Sequence, residues 1–254
     1  MPYAVATRDA ARAAPFLAAL APLGLTGVAM PVTSTAAAAD ASRLEASLRS
    51  LGAGDFVALA SARASAAVGA AAAGLGRELR EVGWWAVGDA SAQPLRDLGY
   101  VVHTAARASA DGLADALLAA GAAGRRVLVP RALDGRQDAV VALRGAGARV
   151  EELVVYRTVA RAADAPELAE GLARWRAGEV AVAALFAPSQ VTALGALLAA
   201  AGVTLAAPPV VFAAVGDTTA RALRDLGLHE VAVARAPTPE AMANAVASRY
   251  PPRR

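Results

Sequence analysis

The chain carries the same message twice. Val87–Tyr100 reads VGDASAQPLRDLGY and Val215–Leu228 reads VGDTTARALRDLGL, a spacing of 128 with nine residues identical. Val5–Val32 parallels Leu128–Val155, which sets Arg8 on Arg131, Leu20 on Leu143 and Gly24 on Gly147. Ala58–Val68 parallels Ala184–Leu194, and Arg107–Ala119 parallels Arg235–Ala247. Four motifs recur in one order, so any fold open to the first half must also be open to the second. A length of 254 residues suits two such units of about 120 residues each.

Each motif has one coarse form. Short apolar runs such as Val127–Val129 and Val210–Val215 read as buried strands. A turn with Gly, Asp, Ser or Pro follows, and then a helical period that stops at Gly. In Val215–Leu228 the strand ends at Gly216, Asp217 is placed to cap the helix, Leu223 and Leu226 share a face, and Gly227 is the stop. Strands alternating with helices predict an α/β fold of parallel sheets with helices on both faces. Ligands in such folds sit at the carboxyl ends of strands, beside helix starts. The turns at Gly88 and Gly216 fall there, although ordinary capped helix starts would look the same.

Composition removes several chemistries. There is no Cys, hence no disulfide, thiolate nucleophile or Cys-ligated metal. All 25 basic residues are Arg, which excludes a Schiff-base lysine and a P-loop. The two His, His103 and His229, lie far apart without acidic neighbours at ligand spacing, so no metal site is expected. Gly74-Leu75-Gly76 lacks a third Gly at dinucleotide-loop spacing and reads as a helix end, and no cofactor is expected. A net charge of +3 is too small to point to nucleic acid but suits an anionic small ligand. Val180–Gly216 carries no charge, yet Pro208 and Pro209 interrupt it and its helical piece near Val191–Ala201 is too short to span a membrane. The opening residues carry early charges and no apolar run, so no signal peptide is read and a cytoplasmic location is expected.

The ordered motifs are Ala6-Thr7-Arg8, Ala60-Ser61, Leu128-Val129-Pro130-Arg131, Gly147-Ala148-Arg149-Val150, Val155-Tyr156-Arg157-Thr158, Ala187-Pro188-Ser189, Val215-Gly216-Asp217-Thr218-Thr219-Ala220 and Pro237-Thr238-Pro239. As a set, over nearly the whole chain, they resemble the uroporphyrinogen-III synthase family. Three positions depart from the family pattern: Ala187 stands for Ser before Pro188, Asp217 for Pro after Gly216, and Asp9 for the Pro often seen after Arg8.

The resemblance implies two flavodoxin-like α/β domains with an internal two-fold repeat, joined by two extended strands. On this chain that places residues 1–33 plus 158–254 in one domain, 36–154 in the other, and linkers at 31–36 and 154–158. The simpler alternative is one repeat per domain with a boundary near Gly124. It also implies a monomeric, cofactor-free lyase of haem biosynthesis acting on hydroxymethylbilane, a linear tetrapyrrole with eight carboxylate arms. Loss of the substrate hydroxyl as water, attack by the last ring through its substituted carbon, and re-closure invert that ring. The enzyme's task is then chiefly to hold one geometry, assisted by a weak acid. Tyr156 is the candidate acid, since a phenol keeps a proton to donate; simple packing with its hydroxyl bonded is the alternative. Candidate carboxylate anchors are Arg8 and Arg131, Ser61 and Ser189, and the turns of Gly88, Gly216, Thr218 and Thr219. A non-catalytic tetrapyrrole- or anion-binding module of the same fold is the competing expectation.

Overall fold

The computed structural model describes residues 2–38, 40–205 and 209–250, with the side chains of 76–78 outside that description. Of the two prolines noted above, Pro208 lies outside the described residues. The first repeat runs β1 (Tyr3–Ala6), α1 (Ala10–Leu20), β2 (Thr26–Ala29), β3 (Thr33–Ala37), α2 (Leu44–Arg49), β4 (Phe56–Leu59), α3 (Ala62–Ala72), β5 (Gly83–Ala86), α4 (Asp89–Arg96), β6 (Val102–Thr104) and α5 (Ala110–Ala119). The second runs β7 (Arg126–Ala132), α6 (Asp138–Gly145), β8 (Arg149–Ala160), α7 (Ala169–Arg176), β9 (Val180–Leu185), α8 (Pro188–Ala200), β10 (Val211–Ala214), α9 (Asp217–Asp225), β11 (Val231–Val233) and α10 (Pro239–Ala247). The expected α/β alternation is present in both halves. Among the described residues no helix is long and apolar enough to cross a membrane.

Neither compact unit is one repeat. Unit 1 is Met1–Ser34 with Val159–Arg254, and unit 2 is Thr35–Thr158. The chain therefore passes between units inside β3 and again inside β8. The sheet of unit 1 has the order β11-β10-β9-β1-β2, with every pairing parallel. Read from the other edge this is strand order 2-1-3-4-5, the flavodoxin-like arrangement. The second sheet has the order β3-β8-β7-β4-β5-β6. Replacing each strand by its repeat counterpart turns β6-β5-β4-β7-β8 into the first sheet. Each unit thus takes two strands from one repeat and three from the other, and the second sheet adds β3 at its edge.

Local rules explain the ends of the elements. Gly99 and Gly227 adopt φ of +83° just after α4 and α9, a left-handed conformation that costs an L-residue with a side chain about 1–2 kcal/mol. Ser61, Ser109 and Thr238 cap α3, α5 and α10 by accepting backbone N–H bonds. One expectation is corrected. Gly216, not Asp217, is the N-cap of α9, and Asp217 is its first helical residue. The extended φ of 177° at Gly216 carries the strand straight into the helix, so no side chain folds back to cap it.

The pairing of the last motifs is also corrected. Ala105 N–H donates to Ala86 O at 3.0 Å, and Ala234 N–H donates to Ala214 O at 2.9 Å. Ala86 and Ala214 are 128 apart, but Ala105 and Ala234 are 129 apart. One extra residue before β11 shifts the register, so Arg235 falls on Ala106 rather than on Arg107. The similarity of the two Arg-Ala segments masks this slip.

The cores follow from strand alternation. In unit 1, Val5 faces Val28, Leu185, Phe212 and Leu223 on one side, while Ala4 and Ala6 face Phe16, Ala184, Ala213 and Met242 on the other. Alanine along that second face lets α1 and α10 lie close to the sheet. In unit 2, Val57, Leu59, Trp84 and Leu128 form one face, and Phe56, Ala58, Val127 and Val129 the other. Each buried Leu contributes roughly 1.5–3 kcal/mol, so the many small burials replace a few aromatic anchors.

Candidate functional site

The carboxyl ends of β1 and β9 lie side by side at the point where the strand order of unit 1 reverses; β7 and β4 do the same in unit 2. In a doubly wound sheet this switch point opens a crevice for ligands. The sequence-derived candidates divide between these two places and the ends of β5 and β10.

In unit 2, Ser61 follows β4 in extended conformation and caps α3, its Oγ accepting the Ala64 N–H at 3.1 Å. The Tyr156 hydroxyl lies 3.2 Å from the same Oγ, with either atom able to donate. Tyr156 sits in β8, half-buried, its ring packed against the core cluster of Leu59, Trp84 and Leu153. A bulge in the β7–β8 register pairs Ala132 with Tyr156, and Leu133 N–H donates to Tyr156 O at 2.9 Å. The structure thus brings Ser61 and Tyr156 together, although they are 95 residues apart.

Arg131, an expected carboxylate anchor, bonds to the protein itself. Its Nε donates to Glu152 Oε2 at 2.7 Å, and its Nη1 donates to the carbonyls of Ala132 and Leu133. Both side chains of the ion pair are mostly buried, at 14% and 16% exposure, and Arg144 also reaches Glu152 at 2.8 Å. The Arg131 fork is engaged by protein acceptors and ties β7 to β8.

Arg8 occupies the equivalent place in unit 1 without such a partner. The repeat sets Ala29 where Glu152 stands, so the carboxylate is missing. The Arg8 guanidinium carbon instead lies 3.9 Å over the Phe186 ring and 5.3 Å from that of Phe16, and those rings contact edge to face. Their repeat counterparts are Ala60 and Ala139, so the aromatic platform belongs to unit 1 alone. Among the described residues Arg8 forms no ion pair; the neighbouring Asp9 caps α1 and lies near Arg12. Burial, and then the Arg12 charge, pull the Arg8 pKa below the usual guanidinium value, partly opposed by Asp9. Arg8 nevertheless remains a cation.

The α8 start differs from that of α3. Ala187 is the N-cap and offers no side-chain bond, and Ser189 is exposed in the first turn. Gln190 in the same turn faces back toward the strands: its Oε1 accepts the Phe186 N–H at 2.8 Å and lies 2.8 Å from Thr7 Oγ1. At the α4 and α9 starts, Gly88 and Gly216 are both extended. Asp89 turns along its helix to Arg96 at 2.9 Å, which takes the carboxylate away from the turn. Thr218 is exposed and Thr219 is buried at 1%. A depression of about 520 Å³ beyond β10 and β11 is lined by Gly216, Asp217, Arg235 and Pro237. Sequence reading passes over Arg235 and Gln190 as site residues. Arg235 is visible only as a repeat match, and Gln190 carries no sequence signal because its partners come from two distant strands. Among the described residues no group of three or more His, Cys, Asp or Glu is placed to hold a metal ion.

The family described as uroporphyrinogen-III synthase HemD matches residues 14–244, which is most of the chain. The chain belongs to the uroporphyrinogen-III synthase family. Its structure is similar to that of a uroporphyrinogen III synthase variant from the extreme thermophile Thermus thermophilus, with 22% identity, 97% of each chain covered and a TM-score of 0.55. It is also similar to uroporphyrinogen-III synthetase from Helicobacter pylori, with 14% identity, 98% of this chain and 100% of that chain covered, and a TM-score of 0.60. At these identities the structures support the two-unit fold. No curated protein matches the sequence. The departure from the uroporphyrinogen-III synthase pattern at Ala187 leaves α8 without a side-chain N-cap.

Proposed function

We propose that the chain is a uroporphyrinogen-III synthase, a lyase that cyclises hydroxymethylbilane with loss of water and inversion of the last ring. The observation that carries the reaction class is family membership across residues 14–244. Tetrapyrrole biosynthesis is the setting; haem as the end product, a cytoplasmic location and a monomeric state complete the proposal. β3 and β8 act as the paired linker strands, the role expected near residues 31–36 and 154–158. No observation favours the non-catalytic alternative.

The contact between Ser61 and Tyr156 supports a concrete mechanism within this proposal. Ser61 already accepts a backbone N–H, and when its own hydroxyl proton goes to the Tyr156 oxygen, the phenolic proton is left for the substrate. Tyr156 then donates that proton to the departing hydroxyl, which leaves as water, and the bilane becomes an electrophilic azafulvene cation; the proton released when the closed ring regains its aromaticity returns to the tyrosinate. Positively placed donors hold the carboxylate arms so that the substituted carbon of the last ring attacks. Arg8, the Ser189 hydroxyl and the backbone N–H groups after Gly88 and Gly216, with Thr218 and Thr219, serve as anchors. Arg131 acts by holding β8, and with it Tyr156, in register. Positioning supplies most of the effect because unguided closure gives the symmetric isomer.

The test is a coupled assay in which hydroxymethylbilane is generated in situ and the oxidised products are separated by isomer. Isomer III above the uncatalysed background is the expected result. Isomer I alone, from protein whose circular dichroism shows it folded, would overturn the proposal.

A further inference from the structure

Gln190 is placed to do more than start a helix. The Phe186 backbone N–H can only donate, so the Gln190 atom 2.8 Å away must be the amide oxygen. The same oxygen accepts the single hydroxyl proton of Thr7, a residue 1% exposed, at 2.8 Å, and Ala184 O at 3.1 Å is the competing acceptor for that proton. One amide therefore clasps the residue that follows β1 to the residue that follows β9. Both clasped residues bear on Arg8. Thr7 is its chain neighbour, and Phe186 is the ring beneath its guanidinium at 3.9 Å.

The corresponding positions of unit 2 carry no such amide. The counterparts of Gln190, Thr7 and Phe186 are Ala64, Pro130 and Ala60. There, Arg131 is held by Glu152. Unit 1 has Ala29 in place of that carboxylate, and its arginine stacks on Phe186 instead.

We propose that Gln190 is a positioning residue for Arg8: by clasping Thr7 to Phe186 it holds the unpaired guanidinium where it receives a substrate carboxylate. This rests on the proposed function, which supplies an anionic tetrapyrrole. A side chain that merely stabilised α8 would affect folding without any energetic link to Arg8. A positioning residue must act through Arg8, so the two substitutions cannot be additive.

The probe is uroporphyrin III, the oxidised octacarboxylate product, titrated by its own fluorescence anisotropy against full-length protein. Wild type, Gln190→Ala, Arg8→Gln and the double variant are compared, with isomer analysis of wild-type turnover alongside. Arg8→Gln is expected to raise Kd about tenfold and Gln190→Ala about threefold to tenfold, with the double variant no weaker than Arg8→Gln alone. In turnover the Gln190→Ala effect should fall on KM, with kcat within about twofold of wild type. Multiplying effects, an unchanged Kd in Gln190→Ala, or no binding by wild type would each overturn the proposal. Thr7→Val, nearly isosteric, removes only one half of the clasp and reads the same coupling should Gln190→Ala fail to fold. Wild type that binds uroporphyrin III but forms only isomer I would defeat the proposed function and leave the clasp still tested by the Kd cycle.

Discussion

Tyr156→Phe separates chemistry from architecture more cleanly than any other substitution in this chain. The ring stays packed against Leu59, Trp84 and Leu153, and only the hydroxyl is lost. That hydroxyl makes one hydrogen bond, at 3.2 Å to a half-buried serine. A net hydrogen bond contributes about 0.5–1.5 kcal/mol, and this long, partly wet one falls at the low end. Ser61 keeps its other bond, the Ala64 N–H cap, so α3 is not uncapped. The unfolding midpoint should therefore fall by only a few degrees. Loss of a general acid costs about 10²–10⁴ in rate, or roughly 2.7–5.4 kcal/mol of barrier. The activity loss should exceed the stability loss by at least about 1 kcal/mol. Single-turnover formation of isomer III from in situ hydroxymethylbilane, beside thermal unfolding of the same preparation, makes the comparison. A kcat within about threefold of wild type, with isomer III still formed, would refute the assignment of Tyr156 as proton donor and leave it a packing residue.

Other substitutions test other links. Ser61→Ala removes both the contact to Tyr156 and the α3 cap, so it should cost about 1 kcal/mol more stability than Tyr156→Phe in denaturant titration. Glu152→Ala takes from Arg131 and Arg144 the carboxylate they share and leaves Arg131 mostly buried without it, so a loss on the order of 3 kcal/mol is expected in the same measurement; a change below about 0.5 kcal/mol would mean the strap is idle. At Gly112 an added Cβ would lie 2.2 Å from Arg107 O, a backbone atom that cannot step aside, so Gly112→Ala should destabilise despite the roughly 1 kcal/mol gain in helix propensity. For Glu151, burial alone would raise the pKa, but hydrogen bonds from Arg126 and Ser47 and the Arg126 and Arg43 charges outweigh it and hold the carboxyl below its ordinary range. Its contribution to stability is present above the unfolded value of about 4.3 and is lost as pH falls through the lower folded value, so Glu151→Gln should flatten acid unfolding below about pH 4.5 while leaving activity near neutrality unchanged.

Much of the fold was legible because it rests on local rules. The repeat of VGD-x-x-A-x-x-LRDLG fixed two copies of one strand, turn and helix, and Gly99 and Gly227 stop both helices in the left-handed conformation that glycine alone adopts cheaply. Alternation of apolar runs with helical periods fixed parallel sheets. The helix caps at Ser61 and Thr238 could be read from residue type. The extended turn at Gly216 could not, because a strand that runs directly into a helix leaves no room for Asp217 to fold back.

Sequence alone determined the repeat, the α/β class and the family resemblance. It could not determine which strands of each repeat share a sheet, since a swapped and an unswapped arrangement satisfy the same periodicity and bury the same side chains. Nor could it say which arginine is spent. Arg8 and Arg131 are indistinguishable along the chain, and they part only because Glu152 faces one across a strand pair while Ala29 stands in the corresponding place for the other. The Ser61–Tyr156 contact and the Gln190 clasp were invisible for the same physical reason. A hydrogen bond needs its partners within about 3 Å, and only the folding of β4 and β8 on either side of β7, and of β1 beside β9, brings residues 95 and 183 positions apart to that distance.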